Sequence, residues 1–190
     1  DLSEKVGAYV LDRHFIDERA PVITPFHIAV NRIREWSRGA GRHGSCGKGV
    51  GELGYDLMYH PDRVIRAGNL RDSSCAHVLR EIQERKLTEL ARDGIEIADV
   101  PVWLEDVAAL LTSVDQPAKI AQAYRACAAA YNIVSESIVR RMIRQSNSVF
   151  EGAQGVLLDE WHGFHPFTTW STVTPAHALA LLEESCFRGE

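Results

Sequence analysis

The sequence predicts an α/β chain that is mainly helical, with a few short strands. Three observations carry that prediction: apolar residues recur at three- and four-residue spacing along most of the chain, extended runs are few and short, and no Pro/Gly/Ser linker is long enough to separate a pair of domains. A helical segment of this kind needs a sheet it does not fully supply, which fits an excised piece of an α/β protein. Residues 1–190 accordingly read as a single partial domain. The chain opens in mid-pattern and without Met, at Asp1-Leu2-Ser3-Glu4-Lys5, as an excised piece of something longer would.

In chain order, Tyr9 to Phe15 and Val22 to Thr24 read as short extended pieces. Thr24-Pro25 then offers an N-cap and an N1 proline, and Phe26, Ala29, Val30, Ile33 and Trp36 keep helical spacing until Gly39. Ser73 or Ser74 caps a second helix, whose apolar positions Val78, Leu79, Ile82, Leu87 and Leu90 stop at Gly94. Val102 to Leu111 is apolar on one side, and Pro117 starts an Ala-rich stretch of high helix propensity through Tyr131. Ile133 to Arg144 reads as another helix, Ser148-Val149-Phe150 as a short buried strand breaking into a glycine-bounded loop, and Thr174-Pro175 as the cap of a last helix to Glu184.

Charge and composition exclude several classes. The formal charge of -5 lacks the basic excess of a protein held to nucleic acid or an anionic membrane by charge, so any phosphate site must be local. No apolar run approaches the roughly 18 residues that span a bilayer, and the N-terminus does not read as a signal peptide, so a cytoplasmic protein with no nucleic-acid or membrane partner is expected. Cys46, Cys75, Cys127 and Cys186 lie far apart without a C-x-x-C pair, which suits reduced thiols better than a disulfide frame or zinc site.

Two loops carry the chemical signal. In Gly44-Ser45-Cys46-Gly47-Lys48-Gly49-Val50-Gly51 the glycines let backbone N–H groups approach an anion, and Ser45, Cys46 and Lys48 add donors or charge; the loop reads either as a phosphate cradle or as a flexible turn. It is not a Walker A loop, because Arg42 stands at the first glycine and Gly49 at the Mg²⁺-binding Ser/Thr. Gly49 to Gly54 matches G-x-G-x-x-G, yet no strand is read before it and Glu52 would face the pyrophosphate. In the second loop, Phe150 to Asp159 leading to His162 through Ser171, Gln154 can present donor and acceptor to the edge of a base, Thr168, Thr169 and Ser171 can hold phosphate, and Trp170 can stack; the plainer alternative is a core loop whose polar groups satisfy backbone. His162, His165 and His177 are too loosely spaced for a metal site, His27 reads as a helix-start residue, and Arg140, Arg141 and Arg144 read as a solvated face before a phosphate site.

The series Val22-Ile23-Thr24-Pro25-Phe26-His27, Gly44 to Gly51, Phe150-Glu151-Gly152-Ala153-Gln154-Gly155-Val156-Leu157-Leu158-Asp159 and His162-Gly163 with Pro166 resembles the adenylosuccinate synthetase family, in order and at similar spacing. The resemblance covers nearly all of this chain and the middle of the family's longer one. It implies a P-loop NTPase-related fold and a ligase of purine biosynthesis that condenses IMP with L-aspartate, using GTP (or another purine triphosphate) and Mg²⁺ held mainly by segments outside this chain. Ser45 and Cys46, with Gly47 in the same loop, then stand at the nucleotide 5′-phosphate, Gln154 at the purine and Thr169 at the phosphate. Arg63, with Arg66 as alternate, falls near an Arg that reaches the neighbouring subunit's phosphate, which implies a homodimer.

Departures accompany the resemblance. Cys46 replaces Thr, Lys48 replaces Arg and Glu52 replaces Pro, while Thr168-Thr169-Trp170-Ser171-Thr172 departs from the usual V-T-S-S-N. The family's N-terminal glycine-rich loop, catalytic Asp and His, and C-terminal aspartate-binding and guanine-binding residues have no counterpart here, so this chain by itself is expected to be inactive and no catalytic residue is assigned. The divergence is similar to that of phage-type relatives acting on dGMP to make 2-amino-adenylosuccinate. A non-catalytic nucleotide-binding or interaction module is the alternative of a different class.

Overall fold

The computed structural model describes residues 12–188, and helices dominate them. Thr24, in extended backbone with ψ 160°, starts α1 (Pro25–Ser37): its side chain accepts from the His27 N–H, and the His27 ring accepts from the Thr24 N–H, a reciprocal cap around an N1 proline. α1 buries Phe26, Ala29, Val30 and Ile33 on one face, as their spacing requires. It packs against α2 (Val50–Tyr59), α3 (Cys75–Arg92) and α4 (Glu105–Thr112), and α3 packs in turn against α5 (Gln116–Ala130). Ile65, Leu79, Ile82, Leu90, Leu111 and Ala121 complete the core between them. α6 (Glu136–Gln145) and α7 (Ala176–Glu184) lie against each other.

The helix stop at Gly94 is as the sequence predicts. Gly94 adopts φ +74°, its N–H donates to Ala91, and the Ile95 N–H donates back to the Leu90 carbonyl, a left-handed C-terminal closure. Val102–Leu104 forms a 3₁₀ turn before α4, so the predicted helix there starts three residues late.

The strands differ more. The sheet among the described residues is a parallel pair, β1 (Phe15–Asp17) with β2 (Asn132–Val134), in the register Ile16 to Ile133. Of the extended piece read at Tyr9 to Phe15, residues 9–11 lie outside the described residues and the strand begins only at Phe15. Val22 to Thr24 is extended without forming a strand, tied by the Val22 N–H to Ile65 and by a bridge between Pro21 and Arg66. The helix predicted from Ile133 gives up its first residues to β2 and starts after Ser135, because the backbone there pairs with β1 instead.

The buried strand expected at Ser148-Val149-Phe150 is absent. Val149 is 95% exposed and no described strand lies beside it. A β-prone tripeptide without a partner has nowhere to place its N–H and C=O groups except water. The sequence reading also overlooks α2, whose Val50, Leu53 and Leu57 keep helical spacing but whose Gly51 and Gly54 lower its propensity.

Candidate functional site

The glycine loop is held at both ends by α1. Glu35 Oε2 accepts from the Gly44 N–H at 3.1 Å and the Ser45 N–H at 3.3 Å, while Arg38 grips Oε1 at 2.6 Å. Partial burial opposes charge on Glu35, but Arg38 and the two N–H groups outweigh it and hold the carboxyl below its ordinary value. Asn31 Oδ1 accepts from the Gly49 N–H at 3.3 Å, and its Nδ2 donates to Ser45 Oγ at 3.2 Å. Gly49 then turns the chain into α2 at φ +81°, where a Cβ would stand 2.8 Å from the His27 carbonyl carbon, so only glycine fits.

Asp159 organises the second loop. Its Oδ1 accepts from the Trp161 and His162 N–H groups at 2.9 and 3.0 Å, and its Oδ2 from the Val173 N–H at 2.8 Å. Those three backbone donors, Val173 first, bring its pKa down to about 2. Around it the Thr169 N–H donates to the Leu158 carbonyl at 2.8 Å and the Gly163 N–H to the Asp159 carbonyl at 3.0 Å. A Cβ on Gly163 would lie 2.6 Å from both the Asp159 and Leu157 carbonyl oxygens, so the loop closes only around glycine.

Far apart in sequence, the two loops face one cleft of about 1340 Å³. Its lining includes Ser45, Cys46 and Lys48 from the first loop, and Gln154, Thr168, Thr169 and Trp170 from the second. The end of α3 at Arg92 to Ile95 and the α1 residues Asn31, Arg34 and Glu35 complete the wall. Trp170 stands against α2, its ring centroid 6.3 Å from that of Tyr55. Among the described residues the Gln154 amide and the Thr169 hydroxyl make no hydrogen bond within the protein, so both have their donors and acceptors to offer.

The remaining candidates lie elsewhere. Gly47 is in the loop, but its Cα faces the Arg32 side chain and it is not a lining residue. Arg63 ends an exposed 3₁₀ turn, with its carbonyl accepting from Arg85, and Arg66 donates to the Arg19 carbonyl at 2.8 Å; neither reaches this cleft. Arg140 pairs with Glu136 on its own helix. Among the described residues, no group of three His, Cys, Asp or Glu side chains could hold a metal ion.

Beneath the cleft lies a buried polar network that sequence spacing does not reveal. His27 caps α1 through Nδ1, which accepts from the Thr24 N–H at 2.9 Å, so its proton sits on Nε2 and is donated to Asp56 Oδ2 at 3.0 Å. Asp56 also accepts from Arg85 at 2.8 Å and from Lys86 at 2.7 Å, and Lys86 reaches Glu89 at 3.0 Å. Burial opposes ionisation of Asp56, yet the bonds from His27, Lys86 and Arg85 hold its carboxyl far below the usual carboxylate range. Arg34 joins the network to the cleft, donating to Glu52 at 2.6 Å and to Asp93 at 2.8 Å. Glu52, which the G-x-G-x-x-G pattern would turn toward a pyrophosphate, is thereby neutralised.

The model of the adenylosuccinate synthetase family matches residues 1–185. The chain belongs to the adenylosuccinate synthetase family. It is similar to the adenylosuccinate synthetases of Edwardsiella ictaluri (34% identical over 178 residues), Psychrobacter cryohalolentis (31% over 179) and Vibrio vulnificus (31% over 182). The matched segments cover 90%, 90% and 93% of this chain and 37% of each relative. The chain thus spans little more than a third of the length of the curated adenylosuccinate synthetases it matches. Family membership makes its homologues ligases of purine biosynthesis, and among the described residues no helix is long and apolar enough to cross a membrane.

Proposed function

We propose that this chain carries the purine monophosphate half-site of an adenylosuccinate synthetase-type ligase, which condenses IMP with L-aspartate at the expense of GTP. The observation that carries the reading is the single cleft onto which the glycine loop and the Gln154–Trp170 segment converge. A nucleoside monophosphate fits its chemistry: free loop N–H groups, Lys48 and the Thr169 hydroxyl for the phosphate, the Gln154 amide for the purine edge, and the Trp170 face for stacking. The Ser45 hydroxyl at the loop's entrance and the exposed Cys46 thiol add further polar groups to the wall.

Mg²⁺ has no fitting ligand set among the described residues, because the nearby carboxylates are committed: Glu35 to the loop N–H groups and Arg38, Glu52 to Arg34, and Asp56 to His27, Arg85 and Lys86. In this reading GTP and Mg²⁺ belong to the remaining two thirds of such an enzyme, and no phosphoryl-transfer step runs through this chain's residues. The P-loop NTPase-related fold, the cytoplasmic setting and the homodimer, with Arg63 or Arg66 reaching a neighbouring cleft, belong to the same proposal. Both arginines lie away from their own chain's cleft, which such an arrangement needs.

Calorimetric titration of the 190-residue chain with IMP and dGMP tests the reading. Saturable binding of either supports the half-site, and a preference for dGMP would move the chain to the phage-type branch. Binding of neither would sink the autonomous nucleotide site and favour an interaction module.

A further inference from the structure

The glycine loop does not offer all of its donors to a ligand. Its first two N–H groups, from Gly44 and Ser45, converge on one carboxylate oxygen of Glu35, and its last, from Gly49, is taken by Asn31. The Cys46, Gly47 and Lys48 N–H groups between them have no acceptor among the described residues. The cradle therefore has three open donors in its middle, bounded on the Gly44 side by the Glu35 carboxylate.

That charge is well anchored. Glu35 is 14% exposed, and the Arg38 guanidinium at 2.6 Å restrains its outer oxygen while its inner oxygen stays on the loop. A single phosphate seated on the middle donors gains their N–H dipoles and the nearby Lys48 charge. A second phosphate extending along the loop toward Gly44 would meet the carboxylate where it needs donors, and would have to displace it from both N–H groups.

We infer that Glu35 restricts this cradle to one phosphate group, making the site selective for a nucleoside monophosphate over the corresponding diphosphate. The inference rests on the proposed nucleotide half-site and adds the residue that sets its phosphate count. Selectivity arises here by placing a repulsive group against the wrong ligand as well as attractive ones toward the right one.

The test is calorimetric titration of the full chain with IMP against IDP and dGMP against dGDP, in wild type, Glu35→Gln and Arg38→Gln. The amide oxygen of Glu35→Gln still accepts from Gly44 and Ser45, so the loop keeps its shape while the charge is gone. Like-charge repulsion at hydrogen-bond range near a surface predicts a wild-type preference for monophosphate of about tenfold, falling to about twofold in Glu35→Gln through a gain in diphosphate affinity. Arg38→Gln, which leaves the carboxylate charged, keeps the preference. A Glu35→Gln variant that folds by circular dichroism and discriminates as wild type does would overturn the inference, as would loss of the preference in Arg38→Gln. Wild type that binds mono- and diphosphates equally overturns it while leaving the half-site standing; wild type that binds none of the four overturns both.

Discussion

Gln154 and Gly163 show two ways in which one residue decides this site. Gln154 lines the cleft with an amide that no described residue engages, so its value lies in what it offers a ligand. Gln154→Ala is expected to weaken purine monophosphate binding about tenfold, the loss of one or two hydrogen bonds, with an unchanged thermal melt. Calorimetry of the folded variant checks this, and unaltered affinity would remove Gln154 from the site. Gly163 contributes only the absence of a side chain. Since a Cβ there would sit 2.6 Å from two carbonyl oxygens, Gly163→Ala is expected to destabilise the loop by roughly 1–3 kcal/mol, read as a lowered melting temperature or local protease sensitivity. The sequence marks Gly163 within the HG-x-x-P signature, but how tightly the loop folds back onto the Leu157 and Asp159 carbonyls is seen only in the structure.

Among the elements, the helices were legible wherever apolar spacing met a cap, as at Thr24-Pro25 for α1 and Gly94 for α3. They were obscured at α2, whose Gly51 and Gly54 lower its helix propensity and whose N-cap Gly49 admits no Cβ against His27. Strands were least legible, since β1 finds its partner β2 more than a hundred residues away, and no local pattern encodes that pairing. The 159–173 loop carries a pH signature of its own. The folded Asp159 pKa of about 2 lies below the unfolded value of about 3.9, so its stabilisation is complete above the unfolded value and is lost as pH falls through about 2. Amide exchange at Trp161, His162 and Val173, corrected for intrinsic rates, is expected to lose protection across that window; constant protection from about pH 5 to about pH 2 would count against the role given to Asp159. Asp159→Ala should expose the same three amides at neutral pH.

Across the molecule, the buried network ties α1, α2 and α3 together under the cleft. Lys86, fully buried, stands between Asp56 and Glu89 with Glu52 at 3.6 Å, so removing it leaves carboxylates in the interior without their cation. Lys86→Ala is expected to cost about 3–5 kcal/mol in urea unfolding, and to cost nearly as much at high salt because a buried ion pair is weakly screened. A loss below about 1 kcal/mol, the range of surface pairs, would show that the network is not the structural brace inferred here. His27 is the helix-start residue that its position in the sequence suggests, but its Nε2 also orients Asp56. Nothing in the spacing of residues 27, 56 and 86 announces that they meet.

Helical character, the cap of α1, the stop of α3 and the family can all be read from the chain alone, because they are written in local periodicity and in contiguous motifs. Folding adds what those patterns do not contain: the two loops share one cleft, Arg63 and Arg66 stand outside it, and the glycine loop's leading donors are already held by Glu35. The physical reason is the same in each case. Periodicity records which face of an element avoids water, whereas the partner a polar group finds depends on where packing brings distant segments.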